Sequence, residues 1–429
     1  MLDIKFIREN TDIVKQALID KCIDLDIDLL LSVDKQIIAH KQAMEAELQK
    51  RNALSREMPT ATPERKAEIK ELSKKSGQLA AQIADELKLL EAQFQELIER
   101  TPTIPAPDVP KGKSDEENVV IRKVGTPPVF DFPIKDHVDL MEMHGWGEFK
   151  RIPQICGTRS SSIRGELLQV EMAMWQFTLN KLMEKGFTIM SVPAMAFEDA
   201  FYNMGQFPFD VESVYALPKD NLYLAGTAEA ILNSIHSGEI LKESDLPIMY
   251  AGFSPCFRRE AGAAGKDTRG IFRVHQFTKV EQYVICKADV VESDKFHQFL
   301  LNNAEEVMQA LEIPYQVVAC CTGDMGAGKY RMNDIEAWCP GQNRYRESHS
   351  CSSLLDWQAH RTNIRYREAV TNKVRYAYTL NNTGLATPRI LVSFMENHQQ
   401  ADGSVRIPKA LQPYLGGKEF IGKKSADKK

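Results

Sequence analysis

Between residues 34 and 100 the chain carries proline or glycine only at Pro59, Pro63 and Gly77, and its apolar residues return at helical spacing. Ile69, Leu72, Leu79, Ile83, Leu87, Leu90, Phe94 and Leu97 recur at threes, fours and one seven, which predicts a coiled-coil seam interrupted by the polar Ser76. A weaker stripe of Ile37, Met44, Leu48 and Met58 precedes it. MPTATP, residues 58–63, separates the two stripes. Proline breaks a helix and is tolerated in the first turn of the next, so this segment reads as a turn. The expected element is an antiparallel helical hairpin projecting on the order of 40–55 Å at 1.5 Å per residue. Residues 35–100 hold 12 basic and 11 acidic side chains. Periodicity and charge therefore suit a solvated spacer or dimerisation hairpin as well as a binding arm.

The pattern changes after the hairpin. TPTIPAPDVPKGKSDEENVV has no apolar period and reads as a linker. Beyond it, short β-type runs mix with helical stretches such as GELLQVEMAMWQFTLNKLMEKG, without regular β–α–β alternation. That mixture predicts an α+β fold with a largely antiparallel sheet flanked by helices. The expected organisation is an N-terminal helical arm at 1–101, a linker at 102–132, a sheet domain at 133–420 and a disordered basic tail at 421–429.

The most unusual run is FRREAGAAGKDTRGIFRVHQFTKVE, residues 257–281. Residues two apart in a strand share a face. Arg273, His275, Phe277, Lys279 and Glu281 would line one side of the outgoing strand, and Arg258 and Glu260 would share a face of the incoming one. The connection AGAAGKDTRGIF is too long for a tight hairpin turn and is expected to be mobile. A sheet face offering arginine, glutamate and an aromatic ring suits a nucleotide: guanidinium grips phosphate, the ring stacks on the base, and a carboxylate accepts from an exocyclic amine. An exposed hairpin whose charges pair across strands has the same pattern.

Three other stretches carry candidate chemistry. LAGTAEAILNSIH places Thr227 and Glu229 where a strand gives way to a helix, which fits helix capping as well as binding. RESHSCSS offers Glu347 and Ser350, oxygen ligands of the kind Mg²⁺ accepts while keeping waters and substrate phosphates. TLNNTGLATPRILVSFMENHQ puts Arg389 at the start of a helix. GDMGAGKY, residues 323–330, nearly spells a phosphate-binding loop, but Tyr330 stands where a magnesium-binding hydroxyl is needed, and the strand-like RMNDIEAWCPG follows it.

Charge and cysteine content narrow the class. A formal charge of −5 over 429 residues gives no general attraction to polyanions, so nucleic-acid binding would need local patches. No apolar run is long enough to span a bilayer, and MLDIKFIREN is too charged for a signal peptide, so no membrane role is expected. The eight cysteines include no C-x-x-C, which argues against structural zinc and favours reduced thiols in a cytoplasm.

Taken in order, GTAE, FRREAGAAGKDTRGIFRVHQFTKVE, PGQNRYRESHSCSS and NNTGLATPR resemble the motifs of the class II aminoacyl-tRNA synthetases in the form of the seryl-tRNA synthetase family. The helical hairpin resembles that family's tRNA-binding arm. The resemblance implies serine activation by ATP and Mg²⁺, followed by seryl transfer to the 3′ end of tRNA(Ser), with tRNA(Sec) a second candidate acceptor. It also implies a cytoplasmic homodimer, with the stretch around Val192 and Pro193 as interface motif. By position it implies that Arg258 holds the ATP α-phosphate and the serine carboxylate, with Arg259 beside it. Glu260 would accept from the adenine amine and Phe277 would stack on adenine. Arg389 would meet the base or the γ-phosphate. Glu347 and Ser350 would hold Mg²⁺, with Ser348 and His349 beside them in the nucleotide site. Thr227, Ala228, Glu229, Glu281 and Thr383 would surround the serine, and arm residues such as Arg51, Lys70 or Lys74 would contact RNA.

Several positions depart from the family pattern. His349 stands where Ser or Thr is common, Ser353 where Asn is common, Thr383 where Ser is frequent, and Pro388 where glycine is usual. Thr383 keeps a hydroxyl, whereas Pro388 changes the backbone leading into Arg389. Two other readings stay open. One is a paralogue that loads its adenylate onto a carrier protein or small molecule, against which the arm argues. The other is a non-catalytic binding protein, against which Arg258, Glu347, Ser350 and Arg389 argue.

Overall fold

The computed structural model describes residues 1–261, 265 and 267–423. The expected mobility of the 261–272 connection falls partly outside these residues, as does most of the proposed tail. The chain forms two compact units, Met1–Pro102 and Thr103–Lys429.

In the first unit two short helices precede α1 (Ile27–Glu57) and α2 (Pro63–Glu99). Asp26 starts α1 by accepting the Leu29 N–H at 3.0 Å. Thr62 starts α2 by accepting the Arg65 N–H at 3.3 Å, with Pro63 at the first helical position. Both helices outlast the expected stripes; their 31 and 37 residues span roughly 46 and 55 Å.

The seam differs from the one expected. Leu48, Leu72 and Leu79 are 43, 40 and 45 % exposed, whereas Glu47, Ser76 and Ala80 are buried and Ser73 is half-buried. The real stripe on α2 is Ile69, Ser73, Ser76, Ala80, Ile83, Leu87, Leu90, Phe94 and Leu97, a strict alternation of fours and threes. Choosing the largest apolar residue near each turn put Leu72 and Leu79 one step off this register. Small residues take those places and let the helices approach closely. Ser76 donates to the Glu47 carbonyl at 3.1 Å, so its hydroxyl is satisfied across the seam.

The second unit is built on an eight-stranded sheet. Its strands are β1 (Val119–Val124), β2 (Thr188–Ser191), β3 (Ile248–Phe257), β4 (Gln276–Cys286), β5 (Tyr315–Ala319), β6 (Arg331–Cys339), β7 (Arg344–Leu355) and β8 (Tyr378–Thr387). The spatial order is β1-β5-β6-β7-β8-β4-β3-β2. Every neighbouring pair is antiparallel except β2 with β3. The helices that concern the site are α3 (Glu166–Glu184), α4 (Glu229–Ser234), α5 (Val290–Ala310), α6 (Trp357–Thr362) and α7 (Arg389–His398). Along β4 the faces alternate: Val280, Val284 and Cys286 enter the main core with Leu300, Leu301 and Met308 of α5 and Ile390 and Phe394 of α7. Phe277, Lys279 and Glu281 point to the other side.

The assigned linker is corrected by the sheet. Residues 119–124 form its edge strand, with Val119 opposite Ala319 and Val124 opposite Tyr315. Edge strands keep much of their surface wet, so VVIRKV shows no clean alternation and its pairing left no pattern to read. Upstream, the Thr103 N–H donates to Ala327 O and the Ala106 N–H to Tyr330 O, both at 2.9 Å. Of the tail, Ile421 pairs with Val405 and so is ordered, contrary to expectation, and residues 424–429 lie outside the described residues.

Candidate active site

Two β-bulges aim the site residues. Ile335 faces His349 and Glu336 faces Glu347, so Ser348 is an extra residue on β7. Glu347 and Ser350 are three apart and would otherwise point to opposite faces; the bulge brings both to one cavity. On β8, Leu385 faces Val280 and Thr383 faces Glu281, which leaves Gly384 as the extra residue. Thr383 and Ala386 thereby line the same cavity beside Asn381.

Of the residues implied by the resemblance, the structure brings Thr227, Glu229, Arg258, Glu260, Phe277, Glu281, Glu347, Ser348, Ser350, Thr383 and Arg389 around this cavity. Three do not line it. Ala228 is buried beneath its neighbours at the start of α4. Arg259 turns outward to Glu212, 3.5 Å away. His349 is buried with Nδ1 2.8 Å from Ser348 Oγ; burial holds its imidazole down at about 4, so it is neutral at pH 7. His275 also leaves the expected face: its Nδ1 lies 3.0 Å from Arg258 O and it lines an adjoining cavity.

At one part of the cavity Arg258 lies over the Phe277 ring at 5.2 Å. Arg389 begins α7 directly after Pro388, and its guanidinium reaches Glu347 at 3.3 Å and lies 5.0 Å from the Phe272 ring centroid. The proline leaves the arginine aimed into the cavity. Burial opposes ionisation of Glu347, but Arg389 and Arg258 outweigh it and hold the carboxyl below its usual range. About half of the Glu347 side chain stays open to the cavity, 53 % by surface. Glu260 takes a left-handed backbone (φ +54°), uncommon for a residue with a side chain, and accepts from Arg273 at 2.9 Å.

The other part is a cluster of carboxylates and amides. Glu229 accepts from Gln358 Nε2 at 2.8 Å and from Asn381 Nδ2 at 3.1 Å. The same Asn381 amide donates to Glu281 at 3.2 Å, so one side chain bridges two carboxylates. Lys279 Nζ lies 2.5 Å from the other Glu281 oxygen, close enough for ion pairing but off hydrogen-bond geometry. Burial, and then the neighbouring Glu281, push the Glu229 carboxyl up to about 7 against the pull of Gln358, Lys279 and Lys329. Asn381 Oδ1 is buried without a hydrogen-bond partner, an acceptor that a bound donor could satisfy. Thr227 Oγ1 accepts the Glu229 N–H at 3.2 Å, so it braces the turn into α4 while Ala228 occupies the cap position.

Sequence reasoning put Arg273 and Lys279 on the candidate face without giving them a role and did not assign Phe272, Lys329, Ser352 or Asn381, and all six line the cavity. Lys279 and Asn381 sit two residues before assigned positions on their own strands, a signal that face alternation already carried. Lys329 comes from the discarded phosphate-loop look-alike.

Two family models match. Residues 1–105 match the seryl-tRNA synthetase N-terminal domain, and residues 209–398 match the tRNA synthetase class II core domain (G, H, P, S and T). A serine–tRNA ligase of Deinococcus radiodurans is 49 % identical, covering 98 % of this chain and 99 % of the relative. The crystal structure of seryl-tRNA synthetase from Pyrococcus horikoshii complexed with ATP superposes with a TM-score of 0.90 at 38 % identity, over 98 % of this chain and 99 % of that one. A cytoplasmic serine–tRNA ligase from Naegleria fowleri in complex with AMP gives 0.86 at 30 % identity, over 98 % of each chain. Family models at both ends, and relatives matching over nearly the whole length, agree with the site geometry: the chain belongs to the seryl-tRNA synthetase family.

Proposed function

We propose that this cavity activates L-serine with ATP to form seryl-adenylate, and that the protein then transfers the seryl group to the 3′ end of tRNA(Ser), with tRNA(Sec) a second candidate acceptor. The observation that carries this reading is the Asn381 amide tying Glu229 to Glu281 in the cavity that also holds Arg258, Phe277 and Arg389. A paired carboxylate site suits an ammonium group, and the arginines suit phosphates and a carboxylate. Arg258 would hold the serine carboxylate against the α-phosphorus. The carboxylate oxygen attacks in line and pyrophosphate leaves, so catalysis consists of positioning and charge stabilisation without a covalent enzyme intermediate. Phe277 would stack on adenine and Glu260 would accept from its amine. Thr383 and the unpartnered Asn381 oxygen would meet the serine hydroxyl and ammonium; alanine would leave such groups unpaired.

Glu347 and Ser350 fit Mg²⁺: both are oxygen donors turned to one cavity by the β7 bulge, and Glu347 is ionised and half open. Bound there, Mg²⁺ would neutralise charge on the departing pyrophosphate.

The helical unit would bind tRNA through backbone and shape, with Arg51, Lys70 and Lys74 as candidate contacts. Assembly as a cytoplasmic homodimer belongs to the same proposal. In its support, β2 is a sheet edge next to Val192 and Pro193, and Met195 and Phe197 beyond it are 52 and 64 % exposed. Among the described residues no helix is long and apolar enough to cross a membrane.

The test is exchange of labelled pyrophosphate into ATP with each amino acid, followed by charging of tRNA(Ser). Serine-dependent exchange with transfer supports the proposal. Exchange without transfer supports the carrier-loading paralogue, and no exchange supports the non-catalytic reading.

A further inference from the structure

We infer that Lys329 is a positioning residue for the amino acid, a cation delivered to the carboxylate end of the cavity by a loop outside the synthetase motifs. The inference rests on the proposed reading of the cavity as a serine and ATP site.

Lys329 lies on the connection between β5 and β6, in the GDMGAGKY stretch, and lines the cavity together with Glu229, Glu281, Ser352 and Asn381. Its flanks are held firmly. Gly328 O accepts from Thr103 Oγ1 at 2.8 Å, the Tyr330 N–H donates to Ser353 O at 2.8 Å, and Tyr330 O accepts the Ala106 N–H at 2.9 Å. Gly328 lies against the Trp357 ring, where an added Cβ would sit 2.6 Å from Cε3. Only glycine lets the backbone pass there, and the residue after it lines the cavity. The Lys329 Nζ lies 3.2 Å from Met332 Sδ, and its charge acts on Glu229, Asp334 and Glu347. The stretch between Thr103 and Ala106 thus gains a purpose that a linker would lack: it clamps the loop that carries this lysine.

The charge balance explains what the lysine does. Glu281 has Lys279 beside it. The Glu229 carboxylate accepts from the amides of Gln358 and Asn381. Lys329 adds a second cation to the end of the cavity that holds both carboxylates, and its charge favours the ionised form of Glu229, the form that would pair with the serine ammonium. Without Lys329, Glu229 would hold a proton to higher pH and meet the serine ammonium as a neutral acid. The groups facing Glu229 are Lys279, Glu281 and Tyr283 of β4, Lys329, Gln358 of α6 and Asn381 of β8.

The experiment is pyrophosphate exchange by full-length Lys329→Gln and Lys329→Arg beside the unaltered protein, titrated separately in serine and ATP between pH 6 and 9, with the melting temperature of each. For Lys329→Gln the KM for serine should rise on the order of tenfold. The KM for ATP should stay within about twofold, and the acidic limb of kcat/KM for serine should move to higher pH. Lys329→Arg should recover most of the loss. A serine KM unchanged in the Gln variant, equal rises for serine and ATP, or an unmoved acidic limb would each overturn the inference. Absence of serine-dependent exchange in the unaltered protein would instead overturn the reading of the cavity itself.

Discussion

Glu47 in the helical unit and Glu229 in the catalytic unit are both drawn in from the surface, and their environments act on them in opposite directions. The bond from Lys50 pulls the Glu47 carboxyl below its usual range. Burial and Glu281 push Glu229 up to about 7. The contrast extends to the two units as wholes. The hairpin displays its charges as exposed pairs such as Lys41–Glu91 at 2.8 Å and Arg65–Glu57 at 2.7 Å, a type of contact that contributes little to stability. The catalytic unit gathers Glu229, Glu281 and Glu347 with Arg258, Lys279 and Arg389 around one cavity, where removing one group changes the state of the others. Effects of mutations should therefore be local in the first unit and non-additive in the second.

The sharpest way to break this comparison is to remove one side of it. Deleting residues 35–98 should lower charging of tRNA(Ser) by on the order of a thousandfold while leaving serine-dependent exchange within about threefold, since the proposal assigns the contacts to RNA to one unit and the chemistry to the other. Equal charging by the deletion variant would show that the hairpin has no RNA role. In the other unit, Arg258→Ala should lower exchange by roughly 10²–10³-fold, the usual loss for a group that stabilises developing charge. Its far-ultraviolet circular dichroism and melting temperature should stay near those of the unaltered protein. Unimpaired exchange would show that Arg258 does not hold substrate.

What could be read beforehand differs between the units for a physical reason. Helical periodicity revealed the hairpin and its turn at 58–63, because 3.6-residue spacing is set by local geometry alone. It missed the seam by one position at Leu48, Leu72 and Leu79, because which residues face the partner depends on how closely the helices approach, and Ser73, Ser76 and Ala80 set that distance. Alternation on β4 correctly grouped Phe277, Lys279 and Glu281. The approach of Glu347 to Ser350, and of Thr383 to Ala386, depends on bulges at Ser348 and Gly384, which strand pairing creates and no local pattern announces. The motif resemblance named Glu347, Ser350 and Thr383 regardless of bulges, yet it also named Arg259, which points away, and it did not reach Lys329.

Glu229→Gln sharpens the electrostatic side of the comparison. The folded carboxyl titrates near 7, above the ordinary value of 4.5, so the folded state binds the extra proton between these values. The stability this gives is fully present below about pH 4.5 and is lost as pH rises through 7. Glu229 faces the cavity and stays partly wet, which trims the cost of ionising it to on the order of 2 kcal/mol. The glutamine variant should therefore melt higher than the unaltered protein at pH 8 and match it at pH 4, while its kcat/KM for serine falls at every pH and loses its acidic limb. Coincident melting curves at pH 8 would show that Glu229 is not held against its charge.

The smallest expected effects test the seam of the hairpin. Ala80 is 9 % exposed and Leu79 is 45 % exposed, although they are neighbours. Ala80→Leu forces extra methylenes between α1 and α2 where the small residues allow close approach, and should destabilise the helical unit by about 1–3 kcal/mol. Leu79→Ala removes a larger apolar side chain from the wet face and should stay within about 0.5 kcal/mol. Urea unfolding followed by circular dichroism at 222 nm, on the full chain, separates the two. If Leu79→Ala costs more than Ala80→Leu, the helices meet in the register that the leucine pattern suggested. The small-residue seam would then be wrong, and with it the close packing that lets Ser76 reach across to the Glu47 carbonyl.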